Sequence, residues 1–261
     1  MTMNNSLLLP VFINRPALAV ISLLAAVPAA PSAPTAAAVT VPPEPPGMMA
    51  MFNGRDLTGW DGDPRLWSVR AGVIRGETTA EVKAHGNTFL IWQGGKPADF
   101  DLRVSFRLNT TNNSGIQYRS HPMPARDPSL NKWVLGGYQA EVRNEPGLAG
   151  FIYDERGKRG RMCLVGERVE WTLEGKQVVG SVGDKAAIAA TFRTDDWNDY
   201  VIIAVGHHIR HYLNGVQTID FTDQDPASRY ASGLIGLQLH AGKPMWVEFR
   251  NPRIKILAPT R

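Results

Sequence analysis

Period-two alternation of apolar and polar residues constrains this chain more than any other feature. Asp101 to Leu108 alternates strictly, with Leu102, Val104, Phe106 and Leu108 on one face. Three further segments each follow a glycine: Gly115-Ile116-Gln117-Tyr118-Arg119, Gly137-Tyr138-Gln139-Ala140-Glu141-Val142 and Gly236-Leu237-Gln238-Leu239-His240. Side chains in a strand point alternately to opposite faces. One face of each therefore carries Ile116 and Tyr118, Tyr138 and Val142, or Leu237 and Leu239. The other carries Gln117 and Arg119, Gln139 and Glu141, or Gln238 and His240. If the three strands share a sheet, one face is core and the other is a row of amide, guanidinium, carboxylate and imidazole groups. Such a row adds little stability, so it is the candidate functional surface.

The rest of the chain supports a strand-built domain. Leu66 to Arg70 and Val73 to Gly76 flank Ala71-Gly72, a hairpin-like pair. Asn87 to Trp92 is short and apolar. Val201 to Leu213 reads as one long strand, turned at Asn214-Gly215 into Val216 to Phe221. Trp246 to Arg250 and Arg253 to Leu257 close the pattern. Helical periodicity is confined to one short stretch, Asp184 to Phe192. Many strands, Gly-rich turns and little helix predict an all-β sandwich or jelly roll.

The first 38 residues read as a signal peptide: Arg15, an apolar run from Ala17 to Val27, then Ala36-Ala37-Ala38 as a cleavage site. The run is short for a membrane span, which needs about 20 apolar residues. Export to the periplasm or medium follows, with no stable membrane insertion after cleavage. Residues 39–47 are a Pro-rich linker expected to be extended and exposed, and residues 48–261 are the domain. The single cysteine, Cys163, forms no intrachain disulfide, and nothing beside it is an activating base. Net charge is +4 and the basic residues are scattered. The densest basic cluster, Arg156 to Arg161, is too short for the concentrated face that nucleic acid requires.

An ordered set of motifs then resembles a known family. Phe52-Asn53-Gly54-Arg55-Asp56-Leu57-Thr58-Gly59-Trp60 is similar to the opening motif of the 3-keto-disaccharide hydrolase domain family. Trp67-Ser68-Val69, Gly72-Val73-Ile74, Asp99 to Arg107, Asn113 to Arg119, Trp197-Asn198, Asn214-Gly215, Gly236 to His240 and Glu248 to Asn251 follow in order. The resemblance implies a concanavalin-like jelly roll, two antiparallel sheets with little helix, in an exported bacterial protein acting on 3-keto sugars. Two positions depart from the family pattern. Where many members have Gly-Tyr-Glu-x-Gln-Ile, this chain has Gly137 to Val142 with acid and amide exchanged on one strand face. Pro252 stands where an aliphatic residue is usual and predicts an edge or strand break.

The chemistry this implies begins at a sugar carbonyl on C3, which makes the C2 proton acidic. A base removes it, the enolate expels the C1 substituent, and water adds to the unsaturated sugar. The site needs a base, a donor or cation at the carbonyl oxygen, and an acid for the leaving oxygen. Glu141 is the candidate base, His240 the acid or second base, and Arg119 the enolate holder. Gln117, Gln139, Gln238, Tyr153, Asp154, Glu155 and His211 are candidate substrate contacts. Glu141 and His240 are alternatively ligands of a divalent cation. The plain alternatives are an ion pair of Arg119 with Glu141, a loop-capping His240, and a solvated turn at Asp154 to Arg156. His207 and His211 fall about 13 Å apart on a strand, too far to share an ion. The competing function is a carbohydrate-binding module, which would favour aromatic platforms over the charged groups found here.

Overall fold

The computed structural model describes residues 39–109, 112–124 and 132–258. The expected signal peptide, residues 1–38, lies outside the described residues. In chain order the strands are β1 (Met49–Ala50), β2 (Trp60–Asp61), β3 (Trp67–Arg70), β4 (Val73–Thr78), β5 (Thr88–Trp92) and β6 (Phe100–Leu108). Then come β7 (Asn113–Pro122), β8 (Leu135–Arg143), β9 (Ile152–Glu155), β10 (Arg161–Cys163), β11 (Glu167–Thr172) and β12 (Gly175–Ser181). The short helix α1 (Lys185–Ala190) precedes β13 (Asn198–Val205), β14 (His208–Leu213), β15 (Val216–Asp223), β16 (Leu234–Leu239) and β17 (Met245–Ile256).

These strands form two sheets. One holds ten strands in the order β12-β11-β15-β14-β13-β6-β17-β4-β3, with β1 beside β17. The other holds seven in the order β10-β9-β8-β7-β16-β5-β2. Pairing is antiparallel throughout except between β11 and β15. Strands adjacent in space are often distant in sequence, as β6 is between β13 and β17, which makes the sandwich a jelly roll.

Both sheets turn an apolar face inward. Ile74, Phe106, Ile202 and Phe249 from the large sheet meet Tyr118, Ala140 and Leu237 from the small one. Trp60 and Trp67 are buried in this core. The polar parity of β6 faces outward, where Arg103 pairs with Asp101 at 2.8 Å and Ser105 Oγ donates to Asp199 at 2.7 Å.

Local chemistry sets the connections. Asn214 and Gly215 both take positive φ, +48° and +86°, as the tight hairpin between β14 and β15 requires. Asp184 caps α1 by accepting from the Ala187 amide at 2.8 Å. The stretch from Val201 to Leu213 is two strands, because Gly206 (φ +57°) turns the chain at Gly206-His207. Conversely, residues 245–256 form one strand. Pro252 is absorbed in a bulge where the register shifts between Arg250 and Arg253.

Residues 39–47 run extended but are not a free linker. The Val41 amide donates to Gly215 O at 2.8 Å, Arg103 Nη2 donates to the Pro42 and Pro43 carbonyls at 3.1 Å, and Glu44 pairs with Arg253 at 2.5 Å. Cys163 is buried and its thiol is pushed up to about 12 by burial, so it is inert packing. No helix among the described residues is long and apolar enough to cross a membrane.

Candidate active site

The outer face of the seven-stranded sheet carries the polar parity of β7, β8 and β16. At its floor lies a directed chain of hydrogen bonds. Ser120 Oγ donates to Gln117 Oε1 at 2.7 Å. Gln117 Nε2 and Gln238 Nε2 both donate to Gln139 Oε1, at 2.9 and 2.8 Å. Gln139 Nε2 then donates to Glu141 Oε2 at 2.9 Å. The other carboxylate oxygen, Glu141 Oε1, accepts from Asn113 Nδ2 at 2.8 Å and Arg143 Nε at 2.9 Å. Three donors therefore converge on one buried carboxylate. Gly115, opposite Glu141 on β7, leaves the space the Gln139 side chain fills: a Cβ there would lie 2.4 Å from Gln139 Cδ.

Above this floor is a groove of about 750 Å³. Gln139, Glu141, His240, Tyr153 and Glu155 all line it, with Asn87, Asn113 and Arg143. Tyr153 faces Gln139 across the β8–β9 pair, and Glu155 lies two residues further on the same parity. Glu155 is buried and accepts from Asn87 Nδ2 at 3.2 Å. Burial raises its pKa above the usual carboxylate value of 4.5. Glu141 nearby adds to the rise, against the pull of the Asn87 hydrogen bond and of Arg156 and His240. His240 sits just beyond β16, with Nδ1 2.5 Å from Ala241 O. A carbonyl only accepts, so Nδ1 carries a hydrogen, and Nε2 is the ring atom left for proton exchange. The loop-capping reading of His240 is thus correct for one nitrogen and leaves the other available.

Three expected site residues lie elsewhere. Arg119 does not share a face with Gln117. From Tyr118 to His121, β7 advances three residues while β8 advances two from Tyr138 to Gly136, and this bulge reverses the parity. Arg119 takes φ +47°, and its guanidinium turns away to Ala98 O (2.8 Å), Gly206 O (2.7 Å) and Asp99 (3.2 Å). It neither pairs with Glu141 nor reaches the groove. Asp154 pairs in register with Tyr138 and so faces inward. There it accepts from the Tyr230 hydroxyl at 2.9 Å and lies 3.4 Å from Arg159. His211 is buried between the sheets, with Nε2 2.8 Å from the Tyr118 hydroxyl and Nδ1 3.0 Å from that of Tyr200. Burial lowers its pKa to about 3, so it is a neutral core bridge, not a substrate contact. Gln117 and Gln238 are fully buried and support the floor from behind Gln139.

Sequence reasoning missed Arg143 and Asn113, although both follow the same alternation, two residues beyond Glu141 and four before Gln117. Asn87 and His85 reach the groove from a loop ahead of β5 and leave no sequence signal. Arg161 arrives through its pairing with Tyr153.

A divalent cation would take Glu141 and His240 as ligands. Among the described residues no group of three or more His, Cys, Asp or Glu side chains converges as a metal cluster, and Glu141 already accepts three hydrogen bonds. The side chains present do not form an ion cage. Two buried floor oxygens, Asn113 Oδ1 and Gln238 Oε1, have no donor among the described residues. Unpaired acceptors of this kind suit hydroxyl donors.

A jelly-roll sandwich with a polar, carboxylate-bearing groove on one sheet is an architecture shared by carbohydrate-binding and carbohydrate-cleaving domains. The chain belongs to the 3-keto-alpha-glucoside-1,2-lyase-like domain family, whose model matches residues 47–255. Among solved structures it is similar to a candidate glycosyl hydrolase from Parabacteroides distasonis ATCC 8503. That match has 20% identity and a TM-score of 0.51, over 81% of this chain and 94% of that one. It is also similar to the carbohydrate-binding module CBM66 from Bacillus subtilis, at 14% identity and a TM-score of 0.47, over 76% and 95%. A search among curated proteins found no match.

Proposed function

We propose that this chain is an exported enzyme that cleaves 3-keto-glycosides by elimination and hydration. The observation that carries the reading is the convergence of Glu141, Glu155 and His240 on one groove in a chain of this family. The groove offers proton-transfer groups where a binding module would offer stacking platforms. Among the described residues its aromatic side chains are Phe151 and Tyr153. Export is supported by Arg15 and the apolar run that follows it.

Glu155 is the better base, in place of the expected Glu141. Among the described residues only Asn87 donates to it, at Oε1, and burial raises its pKa, toward the working range of a general base. It takes the C2 proton. The C–H electron pair becomes the C2–C3 double bond and the charge passes to the C3 oxygen, which Arg143, one of the groove guanidiniums, is assigned to hold. The enolate then re-forms the ketone as the C1–O bond breaks, leaving a C1–C2 double bond. His240 gives a proton from Nε2 to the leaving oxygen and recovers one from the attacking water, while Glu155 returns its proton to C2. Water adds its hydroxyl to C1, which yields the free 3-keto sugar. Glu141 anchors the floor and accepts a sugar hydroxyl with its remaining lone pair. No step passes through a metal ion.

The direct test is incubation with a 3-keto-disaccharide and with its unoxidised parent. Release of a reducing sugar from the first only is the expected result. Saturable binding of both without turnover makes the protein a carbohydrate-binding module. Activity lost to a chelator and restored by a divalent ion reassigns Glu141 and His240 to ion ligation.

A further inference from the structure

The basic cluster from Arg156 to Arg161 is divided by the fold between two faces. Arg159 turns inward. It pairs with Asp223 at 2.6 Å and donates to Ser228 O at 3.0 Å. Arg156 and Arg161 turn the other way and line the groove beside Tyr153 and Glu155. Arg143, the remaining groove arginine, is paired with Glu141 at 2.9 Å. Arg156 and Arg161 have no carboxylate partner among the described residues. Both are placed by structure beyond their own side chains. Arg161 pairs with Tyr153 in the ladder and lies 5.5 Å from the Phe151 ring centroid. Arg156 is held at φ +56°, a conformation that non-glycine residues seldom adopt and that marks constrained sites.

Two unpaired guanidiniums at one end of a saccharide-sized groove present planar donor forks suited to an oxyanion. We infer that the β9–β10 end of the groove receives an anionic group carried by the glycoside, a carboxylate, sulfate or phosphate, between Arg156 and Arg161. The preferred substrates are then acidic 3-keto-glycosides. This inference rests on the reading of the groove as the substrate site.

The experiment is calorimetric titration at low salt with trehalose, trehalose 6-phosphate, trehalose 6-sulfate and a glucosyl-glucuronate. At least one anionic sugar is expected to bind roughly tenfold more tightly than the neutral parent, with a preference that shrinks as salt is added. The tightest arm identifies the anion. The double variant R156Q/R161Q should bring the ratio near one, and R161K should keep part of it. Equal affinity for charged and neutral sugars in the wild type overturns the inference. So does a ratio unchanged in a double variant with wild-type melting temperature. If the double variant does not fold, the single variants R156Q and R161Q must each lower the ratio for the inference to stand. Turnover of a neutral 3-keto-disaccharide is measured in parallel on the wild type. Charge preference without turnover sinks the enzymatic reading alone, and turnover without charge preference sinks the anion site alone.

Discussion

At the scale of single residues, the two groove carboxylates have different surroundings and hence different predicted roles. Among the described residues Glu155 accepts from Asn87 alone, and burial raises its pKa. As the base it must be ionised, so kcat/KM should rise with pH through an inflection above 4.5, the ordinary glutamate value. Glu155→Gln should lower turnover of a 3-keto-glycoside by about 10²–10⁴-fold and abolish that inflection. A pH–rate profile of both proteins checks it, and near-normal turnover in the variant removes Glu155 from proton transfer. Glu141→Gln acts differently. Three donors converge on this carboxylate, and an amide in its place turns an NH2 toward one of them. A cost of about 1–3 kcal/mol in stability is expected, visible as a lower denaturation midpoint. Turnover should also fall, because Arg143 loses its partner. Unchanged stability and unchanged turnover together would contradict the anchoring role.

At the scale of elements, the site depends on a turn and a bulge. The end of β9 and the turn after it carry Glu155 and Arg156 on the groove side, and the turn is clamped from inside by Arg159. That arginine bonds Asp223 and Ser228 O, and Asp223 also accepts from the Tyr138 hydroxyl. Arg159→Met leaves Asp223 buried without its cation, at a cost of about 3–5 kcal/mol. It should also raise KM, since the freed turn no longer fixes one wall of the groove. Steady-state kinetics and denaturation of the same variant test both halves, and a wild-type KM would exclude the clamp. On β7 the absence of a side chain at Gly115 matters to the floor. Gly115→Ala puts a Cβ into the Gln139 side chain and should cost about 1–3 kcal/mol through displacement.

At the scale of the whole molecule, His211 joins the two sheets through the Tyr118 and Tyr200 hydroxyls. Its pKa in the folded protein is lowered to about 3 by burial, from 6.5. A depressed folded value means that the stability it contributes is present above pH 6.5 and is lost as pH falls toward 3. The loss approaches about 1.4 kcal/mol per pH unit within that window. Chemical denaturation across the window should show this slope, reduced in His211→Gln. Export, as proposed, is tested on the full chain. N-terminal sequencing of periplasmic or secreted protein should find a start at Val39, and a Met1 terminus on a cytoplasmic product would contradict it.

Alternation and turn chemistry were enough to determine an all-β sandwich, the hairpin at Asn214-Gly215 and the polar face bearing Gln139, Glu141, Gln238 and His240, while the family came from the resemblance of an ordered set of motifs. These features are local: strand parity repeats every two residues and positive φ selects Asn and Gly. Tertiary structure decided the rest. The β7 bulge sent Arg119 behind the sheet, because one inserted residue reverses every side chain at that point. Pairing of β9 with β8 put Asp154 inward and Glu155 outward, and packing of the sheets buried His211. Asn87 joined the groove only through Glu155, which is distant in sequence, and Arg161 through its ladder pairing with Tyr153. Residues that meet across sheets carry no periodic signature of the meeting, so the partners of each charge appear only once the chain is folded.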